Sequence, residues 1–121
     1  VSVPVLTGIT PDPRQPGYRV VDVDRGRFAS LPAAALAGLT LEVGRPIGVR
    51  VLAQLTRLAD TEAAFRTGVR AVARRAYAAG DLRRRLIQRQ HPAEAVDAAI
   101  ERLAARGLLD DRRFALFYAA A

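Results

Sequence analysis

Cysteine, lysine and tryptophan are absent from this chain of 121 residues, and histidine occurs once. Without cysteine there is neither a disulfide nor a thiolate metal site, and a reducing compartment fits that usage. One histidine alone cannot complete a structural zinc centre. Without lysine there is no phosphate-loop motif, whose lysine reaches the terminal phosphates. Aromatic residues make up only 6%, so the core must be built from Val, Leu and Ala, although half of the residues are hydrophobic. No apolar run approaches the ~20 residues of a membrane span. The N-terminus lacks a basic segment followed by a long apolar core and a small-residue cleavage site. These absences point to a cytoplasmic protein with no membrane partner, one modest domain or two very small ones.

What is present in quantity is arginine, which supplies all 19 basic residues. Codon bias in a GC-rich genome accounts for arginine over lysine, but not for a net charge of +7. Between Arg66 and His91 eight arginines stand against one acid, Asp81, so this stretch alone carries a surplus equal to that of the whole chain. Such clustering favours a polyanionic partner, either nucleic acid or an acidic protein groove.

The same region has the cleanest helical periodicity. Three amphipathic helices are predicted near Thr61–Ala79, Gly80–Gln90 and Pro92–Arg106. In the first, Phe65, Val69, Val72 and Ala76 recur at helical spacing and form an apolar stripe, with Arg66, Arg70 and Arg74 in a row beside it. In the second, Leu82 and Leu86 form the core side and Ile87 extends it. Arg84 and Arg85 point away, with Arg83 and Arg89 on the flanks, where long side chains snorkel. In the third, Val96, Ile100 and Leu103 form the stripe. Pro92 suits the first helical position and Gly107 a left-handed stop.

Upstream, Val3–Thr10 is apolar and β-branched but broken by Pro4 and Gly8, and Pro11 to Gly17 is a loop. Tyr18–Asp24 reads as a strand with Val21 and Val23 on one face. Arg25-Gly26 is a tight turn and Arg27–Leu31 a return strand. The resulting hairpin or three-stranded sheet must lean on something apolar. A short helix is expected from Pro32 to Gly38, an extended segment at Leu39–Val43, and a helix at Val49–Ala59, with Asp60 or Thr61 capping the next one. After Leu109, Asp110 and Asp111 suit a helix start, with Leu109 stapled onto Phe114 and with Phe117 and Tyr118 on the same face. The expected class is mainly α: a three-helix unit preceded by a small β-hairpin region. Residues 1–48 form the β-containing leader, 49–109 the helical unit, and 110–121 the start of a following helix that the chain leaves unfinished.

Candidate chemistry is sparse. His91 could serve a hydroxyl/His/acid triad, but its place before Pro92 fits capping or exposure better. Asp22 and Asp24 share a strand face and could hold a divalent ion with Glu42, against the simpler reading of a solvated hairpin face. Helix capping explains Asp110 and Asp111. The expectation is no enzyme, no metal and no cofactor. Part of the arginine cluster could pair internally with the acidic row Glu94, Asp97 and Glu101. Exposed pairs of that kind stabilise by only ~0–1 kcal/mol.

The order of motifs resembles the RecX family, regulators of the RecA recombinase. The residues concerned are Ala71-Val72-Ala73-Arg74-Arg75, Asp81-Leu82-Arg83-Arg84-Arg85-Leu86 and His91-Pro92 through Leu103. The run Gly107-Leu108-Leu109-Asp110-Asp111-Arg112-Arg113-Phe114-Ala115 is the most recognisable. Upstream, Val23-Asp24-Arg25-Gly26-Arg27-Phe28 and Leu41-Glu42-Val43-Gly44 resemble the leader of some members. The family's usual Ser or Thr before the second helix is replaced by Ala78 or Ala79, leaving Asp81 to supply the favourable charge. Members generally carry three such three-helix repeats, against one here and the start of a second. The resemblance implies a non-enzymatic regulator that binds RecA or its single-stranded DNA filament and restrains recombination and repair activity. The contact candidates are Arg70, Arg74, Arg75, Arg83, Arg84, Arg85 and Arg89, led by Arg74, Arg84 and Arg85. The rival reading is a basic helix-turn-helix-like module that binds nucleic acid without RecA, with the hairpin as a wing. A helical oligomerisation domain is a third possibility.

Overall fold

The structure, a computed structural model, describes residues 3–110. Of the helix expected from Asp110 onward only Asp110 itself lies in that range; the rest, with the staple onto Phe114, falls outside it. The chain divides into two compact units between Ala59 and Asp60.

The first unit holds an antiparallel sheet in the order β1 (Leu6–Pro11), β2 (Tyr18–Val23), β3 (Gly26–Pro32), then a one-turn helix α1 (Ala33–Leu36) and the first part of α2 (Val49–Arg74). The sheet is buried as its alternation predicts: Val21 and Leu31 are fully enclosed, and Leu55 of α2 lies in the same core with Leu6, Leu36 and Ile47. Val51, Leu52 and Leu58 complete the apolar side of α2 that a three-stranded sheet needs. The hairpin turn is one residue earlier than Arg25-Gly26. Asp24 (φ 50°) and Arg25 (φ 65°) are its two central residues, and Val23 pairs with Gly26. Two left-handed residues match the twist of the flanking strands. Two hydrogen bonds support them: the Val5 amide donates to the Asp24 carboxylate at 2.9 Å, and the Arg25 amide to Thr7 Oγ1 at 2.9 Å. Leu39–Val43 forms no strand. Instead the turn at Gly44 (φ 92°) brings the Gly44 amide to the Leu6 carbonyl and the Ile47 amide to the Pro4 carbonyl, each at 2.7 Å. In the β1–β2 loop, the buried Asp12 accepts Ser30 Oγ at 2.6 Å and the Arg14 amide at 2.9 Å.

In the second unit the remainder of α2 packs with α3 (Ala79–Gln88) and α4 (Ala93–Ala105) around Phe65, Leu82, Leu86, Val96, Ala99 and Leu103. Each fully buried leucine contributes about 1.5–3 kcal/mol by leaving water. Three expectations are corrected here. First, Asp60 and Thr61 do not start a helix; they lie inside the 26-residue α2. Neither is a helix breaker, and the penalty for each in an interior is at most ~0.7 kcal/mol, well below what the adjoining apolar contacts supply. Second, of the expected stripe Phe65 is buried and Val72 packs against the core, but Val69 and Ala76 are exposed, and the rest of the buried face is Ala64, Gly68 and Ala71. Small residues win this face because α4 comes close: a methyl carbon added at Gly68 would stand 2.7 Å from Leu103 Cδ1. Third, α2 stops at Arg74, and Tyr77 leaves the helix to enter the core, where its carbonyl accepts the Asp110 amide at 2.8 Å.

Smaller differences follow the same logic. Ile87 is 38% exposed and adds little to the Leu82 and Leu86 stripe. Pro92 is the residue before α4 rather than its first helical position, and Ala78 precedes α3 with no side-chain cap, leaving Asp81 as the only acid in that first turn. Gly107 (φ 69°) ends α4 as expected, with the Leu108 amide returning to the Leu103 carbonyl at 3.0 Å. Gln90 (φ 70°) plays the same part for α3, where the His91 amide reaches the Leu86 carbonyl.

Candidate nucleic-acid interface

The arginines of the second unit divide by the flank of the helix on which they fall. On α3, Leu82 and Leu86 face inward. At ~100° per residue, Arg83 lies on one side of them, Arg85 and Arg89 on the other, and Arg84 opposite. Arg83 meets α4 and binds the Asp97 carboxylate at 2.7 Å. That bond holds the Asp97 carboxyl below the usual carboxylate range and raises the Arg83 guanidinium. Arg84 binds Asp81 one turn earlier on its own helix. Both of these candidates are therefore occupied within the chain. Of the acidic row, Asp97 is the member that takes an arginine.

Arg85 departs from the expected outward direction. It is half-buried on the flank facing α2, about 80° from the centre of the leucine stripe. There Arg85 and Arg89 line a groove with Thr67, Arg70, Ala71, Arg74, Arg75 and Tyr77, a concavity of about 430 Å³. Five of the seven sequence-predicted arginines thus come together on one surface. Among the described residues no acidic one lines it; Asp110 lines an adjoining concavity with Arg74 and Arg75. Among the described residues, Arg70, Arg74, Arg85 and Arg89 form no ion pair. Arg75 stacks its guanidinium over the Tyr77 ring, 3.8 Å from the centroid, an arrangement that keeps the charge while covering an aromatic face. Guanidinium groups stay charged at physiological pH and present planar forks that match phosphate oxygens.

Two groove residues were missed from the sequence, Thr67 and Tyr77. Thr67 Oγ1 donates to the Ala63 carbonyl at 3.1 Å, so its one proton is used and His91 Nε2, 2.9 Å away, is the donor to it. His91 is thereby a tether between the end of α3 and α2. Two of the residues considered for a divalent ion have structural partners. Asp24 serves the hairpin turn, and Glu42 pairs with Arg45 at 3.2 Å. Among the described residues no group of three His, Cys, Asp or Glu is placed to hold a metal, and no helix is long and apolar enough to cross a membrane.

A search of solved structures finds the regulatory protein RecX, with a TM-score of 0.65 and 16% sequence identity. The match covers 96% of this chain and 57% of that one, so the chain spans little more than half of its length. At this identity the likeness establishes the fold: this chain has a RecX-like fold. No protein-family model matches the sequence, and no curated protein does.

Proposed function

We propose that this chain is a RecX-like regulator that binds the RecA recombinase, or its filament on single-stranded DNA, and restrains recombination and repair activity without catalysing a reaction. The observation that carries this reading is the fold likeness over nearly the whole chain. The acid-free arginine groove supports it, because a filament on DNA is a polyanionic target. The mechanism is occupancy: helical units seated on the filament oppose its growth by binding one of its states in preference to another. The groove is the contact surface, with Arg70, Arg74, Arg75, Arg85 and Arg89 in that role. Arg83 and Arg84 act within the fold.

The helix-turn-helix-like alternative is less well supported. Arg84, on the outer face of α3, is held by Asp81, and the unpaired arginines of α3 turn toward α2 instead of outward. Pull-down with RecA–DNA filaments, compared with the same DNA alone, separates the readings. Retention on filaments well above retention on DNA is the expected result. Equal retention on both sinks the regulatory reading.

A further inference from the structure

We propose that the groove between α2 and α3 binds the phosphodiester backbone of a single nucleic-acid strand, without reading its bases and without a partner protein. This goes beyond the regulatory reading and does not depend on it.

Of the eight arginines between Arg66 and His91, Arg83 and Arg84 are matched by Asp97 and Asp81. Six remain, and five of them line this one groove, in which no carboxylate takes part. Elsewhere in the unit the fold supplies counterions where arginines need them, as in the Arg102–Glu62 pair beside Phe65. Gathering five like charges opposes folding, and an external row of anions reverses that repulsion.

Spacing selects the form of the anion. Arg70 and Arg74 are one turn apart on α2, and Arg85 and Arg89 are four residues apart at the end of α3. Four residues advance ~6 Å along a helix, comparable to the step between neighbouring phosphates on an extended strand. A concavity of about 430 Å³ takes a strand and not the body of a duplex. Apart from the arginines themselves, which can address guanine edges as well as phosphates, the lining offers nothing that reads bases. Its only aromatic ring, Tyr77, is buried and covered by Arg75, so no stacking platform is offered. No amide or carboxylate side chain lines it to address base edges. Arginine clusters also hold acidic motifs, but a peptide fits less well here, because the uncovered apolar lining reduces to Ala71 and leaves no pocket for an anchoring side chain.

The test is fluorescence anisotropy of labelled oligo-dT with the full chain and no RecA, over a salt series from about 50 to 200 mM. Two groove variants, Arg85→Ala with Arg89→Ala and Arg70→Ala with Arg74→Ala, are compared with Arg83→Ala with Arg84→Ala. Each removes the same formal charge, and circular dichroism confirms the fold of each. The parent should bind with a log–log salt slope of about −3.5, from roughly 0.7 per phosphate contact and five contacts. Either groove variant should flatten the slope by about 1.4, while the paired-arginine control keeps the parental slope. Oligo-dC should bind as oligo-dT does, and polyglutamate should not displace either at equal charge. Equal losses in groove and control variants, a clear preference between the two oligonucleotides, displacement by polyglutamate, or no parental binding at the low-salt end would each overturn the proposal. Because RecA is left out, these outcomes are separate from failure of the regulatory reading.

Discussion

Replacing Gly68 by alanine sets two effects of known sign against each other. In an exposed helix interior the change stabilises by about 1 kcal/mol, because glycine is the poorer helix former. At Gly68 the new methyl carbon stands 2.7 Å from Leu103 Cδ1 and 3.8 Å from Leu82 Cδ2. Leu103 is fully buried, so its side chain has no solvent to swing into. Overpacking of this kind costs about 1–3 kcal/mol. The net expectation is destabilisation of about 0–2 kcal/mol, read by urea unfolding followed with far-ultraviolet circular dichroism. The cycle is completed in a Leu103→Val background, which removes the clashing carbon. There Gly68→Ala should recover its propensity gain and become stabilising, a coupling that only residues in contact show. Stabilisation by the full ~1 kcal/mol in the parent background, with no coupling to Leu103, would refute the close packing of α4 on the small-residue face of α2.

The opposite sign is expected at Arg25. Its left-handed conformation carries a Cβ penalty of roughly 1–2 kcal/mol that glycine lacks, set against about 0.4–1 kcal/mol of extra unfolded-state entropy, so Arg25→Gly should raise stability by about 0–1.5 kcal/mol in the same urea assay; a loss would mean that this turn is not left-handed at both central residues. At Asp12 the Ser30 hydroxyl and then the Arg14 amide hold the carboxyl below the ordinary carboxylate range, against the upward push of burial. A carboxyl lowered in the fold stabilises above its unfolded value, and that contribution is lost as pH falls through the folded value. Stability should therefore decline below about pH 4, and Asp12→Asn should flatten that decline. Parallel acid limbs in parent and variant would contradict the assignment.

The sequence made the helices and strands legible where apolar spacing was strong. Leu82 and Leu86, Val96 and Leu103, and Val21 and Val23 fall on the faces their periods predict. On α2, Phe65 and Val72 fall where the period puts them, but Val69 does not: it outranks Ala64, Gly68 and Ala71 in hydrophobicity, whereas burial there is decided by how closely α4 approaches. Nothing local marks Asp60 as interior rather than capping, since aspartate suits either place and the difference lies in contacts far along the chain. The arginine cluster was visible as a charge count, but its division was not. Asp97 lies 14 residues from Arg83, and Glu62 lies 40 residues from Arg102. These pairings depend on helix packing, which a linear pattern does not contain. The helical wheel does separate Arg85 and Arg89 from Arg83 once the leucine stripe is fixed. The sequence reading missed this by placing Arg85 opposite the stripe.

Regulation of the filament is read by following growth of fluorescent RecA filaments on single-stranded DNA while the chain is titrated in. Growth should slow in proportion to chain bound, and the Arg85→Ala with Arg89→Ala variant should slow it less than the Arg83→Ala with Arg84→Ala variant does. Unchanged filament growth with the folded chain in excess over RecA would contradict the regulatory reading.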